Sequence, residues 1–425
     1  MSVSRVLAVF LLFIVSVTTQ AQKKAIVCKT LIDGTGKSVS NAVIIIEGER
    51  ILSIGSKQSI PKDAQVIDLG DFTVLPGMID LHSHPLAAGD EYQLDHLRKS
   101  SAQKALEGLK RTQDWLNAGW TTLRTAGDAD VGYATLEIRD AINKGLFVGP
   151  RIYGAGHWIS VTGGGGDINF LSYEQHPVVD GLVVDGPDEM LKAVRNEIKY
   201  GSDWIKILVT GAYATAGDNP QNVHFSSEEL KVAMEEAARR DVPVMAHAHS
   251  ADGIKMAVRA GARTIEHGSF MDEEGMKLMI EHKTVLVPTL TIFKYTLETF
   301  KDSKALAKAY SIVKGYESQR DEIYRKAIKM GVKIGVGTDF FATPAEYGAN
   351  EFSELVRLGM TPMQAIVAGT KGNSEVLGKE KEFGTIEAGK LADIIAVKGD
   401  PIADINELKK VKFVMIGGKV VKQER

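Results

Sequence analysis

The chain has a single cysteine, Cys28, among its 425 residues, so no internal disulfide can form. Cys28 lies in the apolar run Ala25 to Cys28, which reads as a packed strand and not as a ligand site. Positive charge is not in excess. Lys and Arg total 51 against 54 Asp and Glu, net charge −3, whereas nucleic-acid binders usually show basic patches. The N-terminal apolar run Val6–Val17 falls short of the roughly 20 residues a membrane-spanning helix needs. No G-x-G-x-x-G follows the first core strand, which argues against a doubly wound dinucleotide fold. The glycine run Gly163–Gly166 has no Lys-Ser/Thr and no helix start after it, so it is not a phosphate cradle.

What is present begins with residues 1–22. Arg5, the apolar run and the small residues of Thr19-Gln20-Ala21 have the order of a signal peptide, which places the mature chain outside the cell or in the periplasm. Without Arg5 the balance becomes 50 against 54, a net charge of −4. With 44% hydrophobic and 25% charged residues, the remainder can bury a sizeable core. No membrane contact is expected once the signal is removed, and assembly into a homo-oligomer is left open.

Short β-type runs at 42–46, 50–54 and 64–67 are matched at the far end by 391–397 and 410–421, with Gly417-Gly418 as a hairpin signal. The two ends are expected to form one small β-sandwich. Between them β-branched segments alternate with longer helical ones, a pattern of parallel strands and crossover helices. Eight strands can be counted, at 74–82, 121–125, 151–154, 204–209, 242–246, 264–267, 285–291 and 332–338. Helices are expected at 102–117, 188–200, 226–240 and 321–330, and Ser226 with Glu229 forms a capping box. The expected fold is therefore α/β, a (β/α)8 TIM barrel at 74–377 flanked by sandwich parts at 23–73 and 378–425.

In such a barrel, chemistry gathers where strands end. His82 and His84 end the first strand, Lys206 lies in the fourth, His247 and His249 follow the fifth, His267 ends the sixth and Asp339 the eighth. Spacing of two puts His82 and His84 on one side of an extended strand, within reach of one metal. His96, His176 and His282 have no such support.

Leu75-Pro-Gly-Met-Ile-Asp-Leu-His-Ser-His84 resembles the opening motif of the amidohydrolase superfamily. Trp204-Ile-Lys-Ile207, Ala246-His-Ala-His249, Ile265-Glu-His-Gly268, Gly337-Thr-Asp339 and Gly384 to Asp393 resemble its imidazolonepropionase-like branch, which includes Xaa-Pro dipeptidases. An ammonium has no lone pair, so Lys206 as it stands cannot bind a cation. The resemblance implies a lysine carboxylated by carbon dioxide, whose carbamate bridges two divalent metals, zinc fitting the N/O donors best. His247 and His249 share a face, so either could be the fifth-strand ligand. The resemblance assigns His82, His84 and Asp339 to one metal and favours His247, with His267, for the other, leaving His249 to orient a neighbour, face substrate or pack as a hydrogen-bonded core histidine.

The implied reaction is hydrolysis of an amide by a hydroxide bridging the metals, with Asp339 as general base. A dipeptide or N-acyl amino acid is the expected substrate, with a cyclic amide as the alternative. A non-catalytic metal-bound binding protein is the alternative from another class. A one-metal deaminase would place an acid shortly after the fifth-strand histidine, where this chain has Ala248, His249 and Ser250. Relatives often carry Thr-Gly-Gly-His-Gly where this chain has Gly165, so a substrate contact is either lost there or supplied by another group such as His157. Tyr213, His224 and Arg124 are further candidates for substrate contact, near strand ends.

Overall fold

The computed structural model describes residues 22–87, 89, 92–213, 215, 217–302, 307–340 and 345–424. Apart from Gln22, the segment read as a signal peptide lies outside the described residues. No described helix is long and apolar enough to cross a membrane.

The N-terminal part forms β1 (Lys23–Ile32), β2 (Ser38–Glu47), β3 (Arg50–Gly55), β4 (Gln65–Asp68) and β5 (Thr73–Pro76). The middle supplies β6 (Met78–Ser83), β7 (Trp120–Ala126), β8 (Arg151–Ala155), β9 (Trp158–Ser160), β10 (Leu182–Val183) and β11 (Ile205–Leu208). It continues with β12 (Val244–Ala248), β13 (Thr264–His267) and β14 (Val285–Val287), and the C-terminal part adds β15 (Ile394–Val397), β16 (Val411–Ile416) and β17 (Lys419–Gln423). The two ends do pair, through β5 and β15, but they form one mixed sheet, β17-β16-β15-β5-β1-β2-β3 with β4 beside β1, where two facing sheets were expected. Its own apolar core includes Ile26, Ile44, Val74, Ile394 and Phe413. Cys28 is packed there, and burial pushes its thiol up to about 12, so it is an inert strand residue.

The central strands are parallel and lie in two sheets, β6-β7-β8 and β10-β9-β11-β12-β13-β14. Their near-continuous apolar sequences fit strands covered on both faces. The helix Ser227–Ala238 starts at the expected capping box, with both reciprocal bonds of Ser226 and Glu229 formed.

Three expected strands are altered, each for a local reason. The first divides into β5 and β6 at Pro76-Gly77, because proline lacks a ladder donor and a Cβ on Gly77 would sit 2.1 Å from Thr121 Oγ1. The seventh stops at Val287 before Pro288, and the chain turns through Thr289 (φ 52°) into the helix Leu290–Thr299. The eighth makes only one bridge, Leu286 to Ile334, and is no regular strand. It still bonds to both neighbours. Leu286 N donates to Lys333 O (2.9 Å) and Gly335 N to Leu286 O (2.8 Å), while Leu81 N donates to Val336 O (3.0 Å) and Asp339 N to His82 O (2.8 Å). On the other side, β8 pairs with β7 and β9 with β11, so the chain passes between the two sheets at Gly156-His157.

Buried side chains replace the missing ladder around the eighth segment. Asn373 Nδ2 donates to Ile79 O and Val336 O (both 2.7 Å), and its Oδ1 accepts from Val336 N (3.1 Å). Asp80 accepts from Thr338 N (2.9 Å) and Thr338 Oγ1 (2.7 Å). Asn373→Ala should therefore lower the unfolding free energy by about 2–4 kcal/mol, because buried backbone groups lose their partners. Urea denaturation checks this, and a loss below about 0.5 kcal/mol would show that the clasp is dispensable.

Candidate metal centre

Strand alternation explains most of the site. In the parallel register Lys206 neighbours Met245, Leu208 neighbours His247, and His247 neighbours Glu266, so these side chains share one face. Lys206, Leu208 and His247 line one cavity, and His249 follows two residues on. His267 directly follows the inward-facing Glu266, and a regular strand would turn it away. Its positive φ of 71° lets it join the cavity, and Asp339 (φ 51°) and Thr289 (φ 52°) share this left-handed conformation. Such backbone costs of order 1 kcal/mol per residue and collects at functional sites.

Two groups of candidate ligands result. His82, His84 and Asp339 form one, and His247, His249 and His267 the other, with the ligand atoms of each group within 4.8 Å of one another. Asp339 Oδ1 is 3.2 Å from His84 Nε2 and 3.7 Å from His82 Nε2. The groups adjoin, since the His82 and His267 rings are 5.1 Å apart. Lys206 lines the same cavity and is 1% exposed.

A layer behind them fixes the imidazoles. His82 Nδ1 donates to Glu266 Oε2 (2.6 Å), His84 Nδ1 to Gly127 O (2.7 Å) and His247 Nε2 to Gly211 O (3.1 Å), which leaves the opposite nitrogen of His82 and of His247 with a free lone pair, while His84 Nε2 faces Asp339 Oδ1. His249 Nδ1 pairs with Ser269 Oγ (2.9 Å) and His267 Nδ1 with Thr289 Oγ1 (2.7 Å). Glu266 also accepts from Arg124 Nη2 (2.8 Å) and from Thr264 Oγ1. Sequence reasoning missed Glu266, Asp80 and Thr289. A glutamate inside a buried strand beside His267 was the available signal for the first.

Electrostatics keep most donors neutral. Burial, with the charges of Lys206 and neighbouring histidines, holds His82, His247 and His267 well below the usual imidazole range. Burial, with the charges of Lys206 and Arg320, brings His249 to about 3. Burial also disfavours charge on His84, but its hydrogen bond to Asp339 and the charges of Asp339 and Asp128 together outweigh that, and its pKa is raised. Burial lowers Lys206 to about 8, against the opposing pull of Glu266 and Asp339.

The cavity holds about 200 Å3, with apolar walls that include Trp158, Leu208, Ile292, Phe293 and Phe300. Tyr213 and His249 line it, as does Gly165, where a Cβ would come within 3.0 Å of Leu208 Cδ1. Other substrate candidates lie elsewhere. Arg124 is buried beneath the histidines on Glu266, Thr264 and Leu81 O. His157 is bound to Glu197 (2.8 Å), and His224, whose ring packs against Gly164, is bound to Asp218 (3.0 Å).

The amidohydrolase family model matches residues 73–421, which takes in both ligand groups and the segment bearing Lys206. The chain belongs to the amidohydrolase family. It is 33% identical to the ochratoxinase of Aspergillus niger, over 96% of this chain and 88% of that protein. The crystal structure of a Xaa-Pro dipeptidase with bound methionine in the active site superposes with a TM-score of 0.88 at 36% identity, covering 94% of this chain and 100% of that one. An imidazolonepropionase of Acinetobacter baumannii is 24% identical over 86% of this chain and 90% of that protein. A hydrolase follows from this membership, and the histidine groups are of a kind that could hold the divalent metals the family generally uses.

Glu266→Ala should remove about 3–5 kcal/mol of stability, because it leaves the fully buried Arg124 without its carboxylate. Chemical denaturation measures this. A near-neutral result would mean that Arg124 finds another partner and that Glu266 does not hold the site.

Proposed function

We propose that the protein is a binuclear metal-dependent amidohydrolase, exported by its N-terminal segment, that cleaves a dipeptide or an N-acyl amino acid. In this reading the parallel strands form one closed (β/α)8 barrel at 74–377. The observation that carries it is the pair of ligand groups beside a buried lysine that no carboxylate among the described residues neutralises at hydrogen-bond distance. The donors fit divalent ions because most are neutral imidazoles with one nitrogen fixed and the other free.

His82, His84 and Asp339 would hold one ion and His247 and His267 the second, with carboxylated Lys206 between them. Divalent ions there, zinc by the N/O donor set, supply Lewis-acid polarisation of the amide carbonyl and acidification of the attacking water. His249 also offers a lone pair, but its place against Tyr213, ring centroids 4.5 Å apart, suits a substrate-facing role. The lowered pKa of Lys206 gives its neutral amine an appreciable population near pH 8. That amine adds to carbon dioxide, forming an N–C bond and releasing a proton, and the lysine gains anionic oxygens in exchange for its charge. Asp339 touches both His82 and His84 and would take the proton of the attacking water and return it to the leaving amine.

The dipeptide or N-acyl amino acid reading is supported by the similarity to a Xaa-Pro dipeptidase and an ochratoxinase, and by the apolar cavity walls. Tyr213 is the remaining candidate donor to the substrate's carboxylate.

Lys206→Ala should lower kcat/KM on the order of 10³-fold and leave fewer than two divalent metals per chain, with partial recovery in short-chain carboxylic acids. Elemental analysis with assays tests this, and full activity in the variant would remove the lysine from the chemistry. In wild-type protein freed of metal, reloading from bicarbonate buffer should be faster at about pH 9 than at about pH 6.5, because only the neutral amine reacts.

A screen of zinc-loaded protein should find turnover among dipeptides or N-acyl amino acids. Cleavage confined to cyclic amides would overturn the substrate reading, and inertness towards every amide would favour a binding protein.

A further inference from the structure

Arg320 lies on the helix Glu317–Met330 and is 4% exposed. Its Nε and Nη1 have no hydrogen-bond partner among the described residues. The neighbouring residue behaves in the ordinary way, since Asp321 pairs with Arg357 and Arg325. The Arg320 guanidinium lies instead 4.2 Å from the centroid of the Phe293 ring, whose side chain forms part of the cavity wall. Cation–π contact returns only part of the cost of burying a cation, and native proteins rarely leave such donors idle without a use.

A second idle group lies on the same wall. The Tyr213 hydroxyl is buried and makes no hydrogen bond of ordinary geometry among the described residues, although Ser269 is near enough to act on it, and its ring is 5.8 Å from that of Phe293 and 4.5 Å from that of His249. The Arg320 charge is near enough to act on both Tyr213 and His249. Lys206 is the one Lys or Arg among the lining residues, and carboxylation would make it an anion. An anionic substrate group against the Phe293 wall therefore has the Arg320 guanidinium, behind that ring, as a fixed countercharge.

We propose that Arg320 and Tyr213 form an anion subsite around Phe293 that takes the substrate's carboxylate, making Arg320 the residue that selects a free acid over a neutral amide. This rests on the amide-hydrolase reading above. Tyr213 donates its hydroxyl to the carboxylate from the cavity side. The guanidinium supplies the opposing charge from behind and, with the Phe293 ring turned aside, its unused Nε and Nη1 donors.

The test is calorimetric binding of N-acetyl-L-phenylalanine and N-acetyl-L-phenylalaninamide to metal-loaded wild type, Arg320→Met and Arg320→Lys, with thermal unfolding of each. Wild type should bind the acid about 30-fold more tightly than the amide. The Met variant should lose that ratio without a lower Tm, since it removes an uncompensated buried cation, and the Lys variant should recover part of it. An equal affinity of wild type for acid and amide overturns the proposal without need of any variant. So does a Met variant that keeps the ratio, or one that weakens both ligands alike while its Tm falls. If wild type turns over no amide, the hydrolase reading fails, whereas a ratio unchanged in an enzyme that does cleave amides overturns the subsite alone.

Discussion

Glu266 is the point on which the site depends. Its carboxylate is wholly buried and is shared by His82 of β6, Arg124 of β7 and Thr264 of its own strand, β13. Those strands belong to two sheets, so one side chain ties them together from the inside. The same contact sets the tautomer of His82 by taking the Nδ1 proton. Arg124 is held by its stack on Trp204 at 4.5 Å as well as by Leu81 O and Thr264. Stability and ligand geometry are thus one arrangement. A buried carboxylate–guanidinium pair is weak evidence for stability in general, but removing either partner here would strand the other and free a ligand.

The backbone shows the same economy at the strand ends. His267, Thr289 and Asp339 all adopt left-handed φ, although none is glycine. His267 and Asp339 thereby join the cavity, and the Thr289 hydroxyl meets His267 Nδ1. Neighbouring bonds hold the strain in place. Asp339 N donates to His82 O, and Glu351 accepts from Leu290 N, Thr291 N and Thr291 Oγ1 at the helix start just after Thr289. Regular strands would turn these side chains in alternation and leave fewer ligands on one side.

Much of this was legible in the sequence because it depends on local pattern. Spacing of two marked His82 with His84, the order of strands marked Lys206 and Asp339, and Ser226 with Glu229 marked a helix start. What escaped was set by partners distant in the chain. Nothing near Glu266 announces Arg124, which lies 142 positions away. The need for glycine at position 77 follows from Thr121, and the eighth segment is held by Asn373 and Asp80 more than by a strand ladder. Among the substrate candidates Tyr213 and His249 line the cavity, and the partners of the others lie too far along the chain for local pattern to show. His157 and His224 found carboxylates of their own.

Charge gives these parts a common logic. Burial holds His82, His247, His249 and His267 uncharged, and Arg124 answers Glu266, which leaves Lys206 and Asp339 as the opposed charges among the ligand groups. Bringing divalent ions next to an ammonium would be strongly unfavourable at this low effective dielectric. A bare carbamate beside Asp339 would meet the same objection with the opposite sign. Under the proposed reading neither the modification nor the metals are stable alone, while each relieves the repulsion that blocks the other. Their binding is therefore reciprocal, with one coupling free energy seen from both sides. In that reading the depressed pKa of Lys206 would provide the neutral amine through which the coupled state is entered.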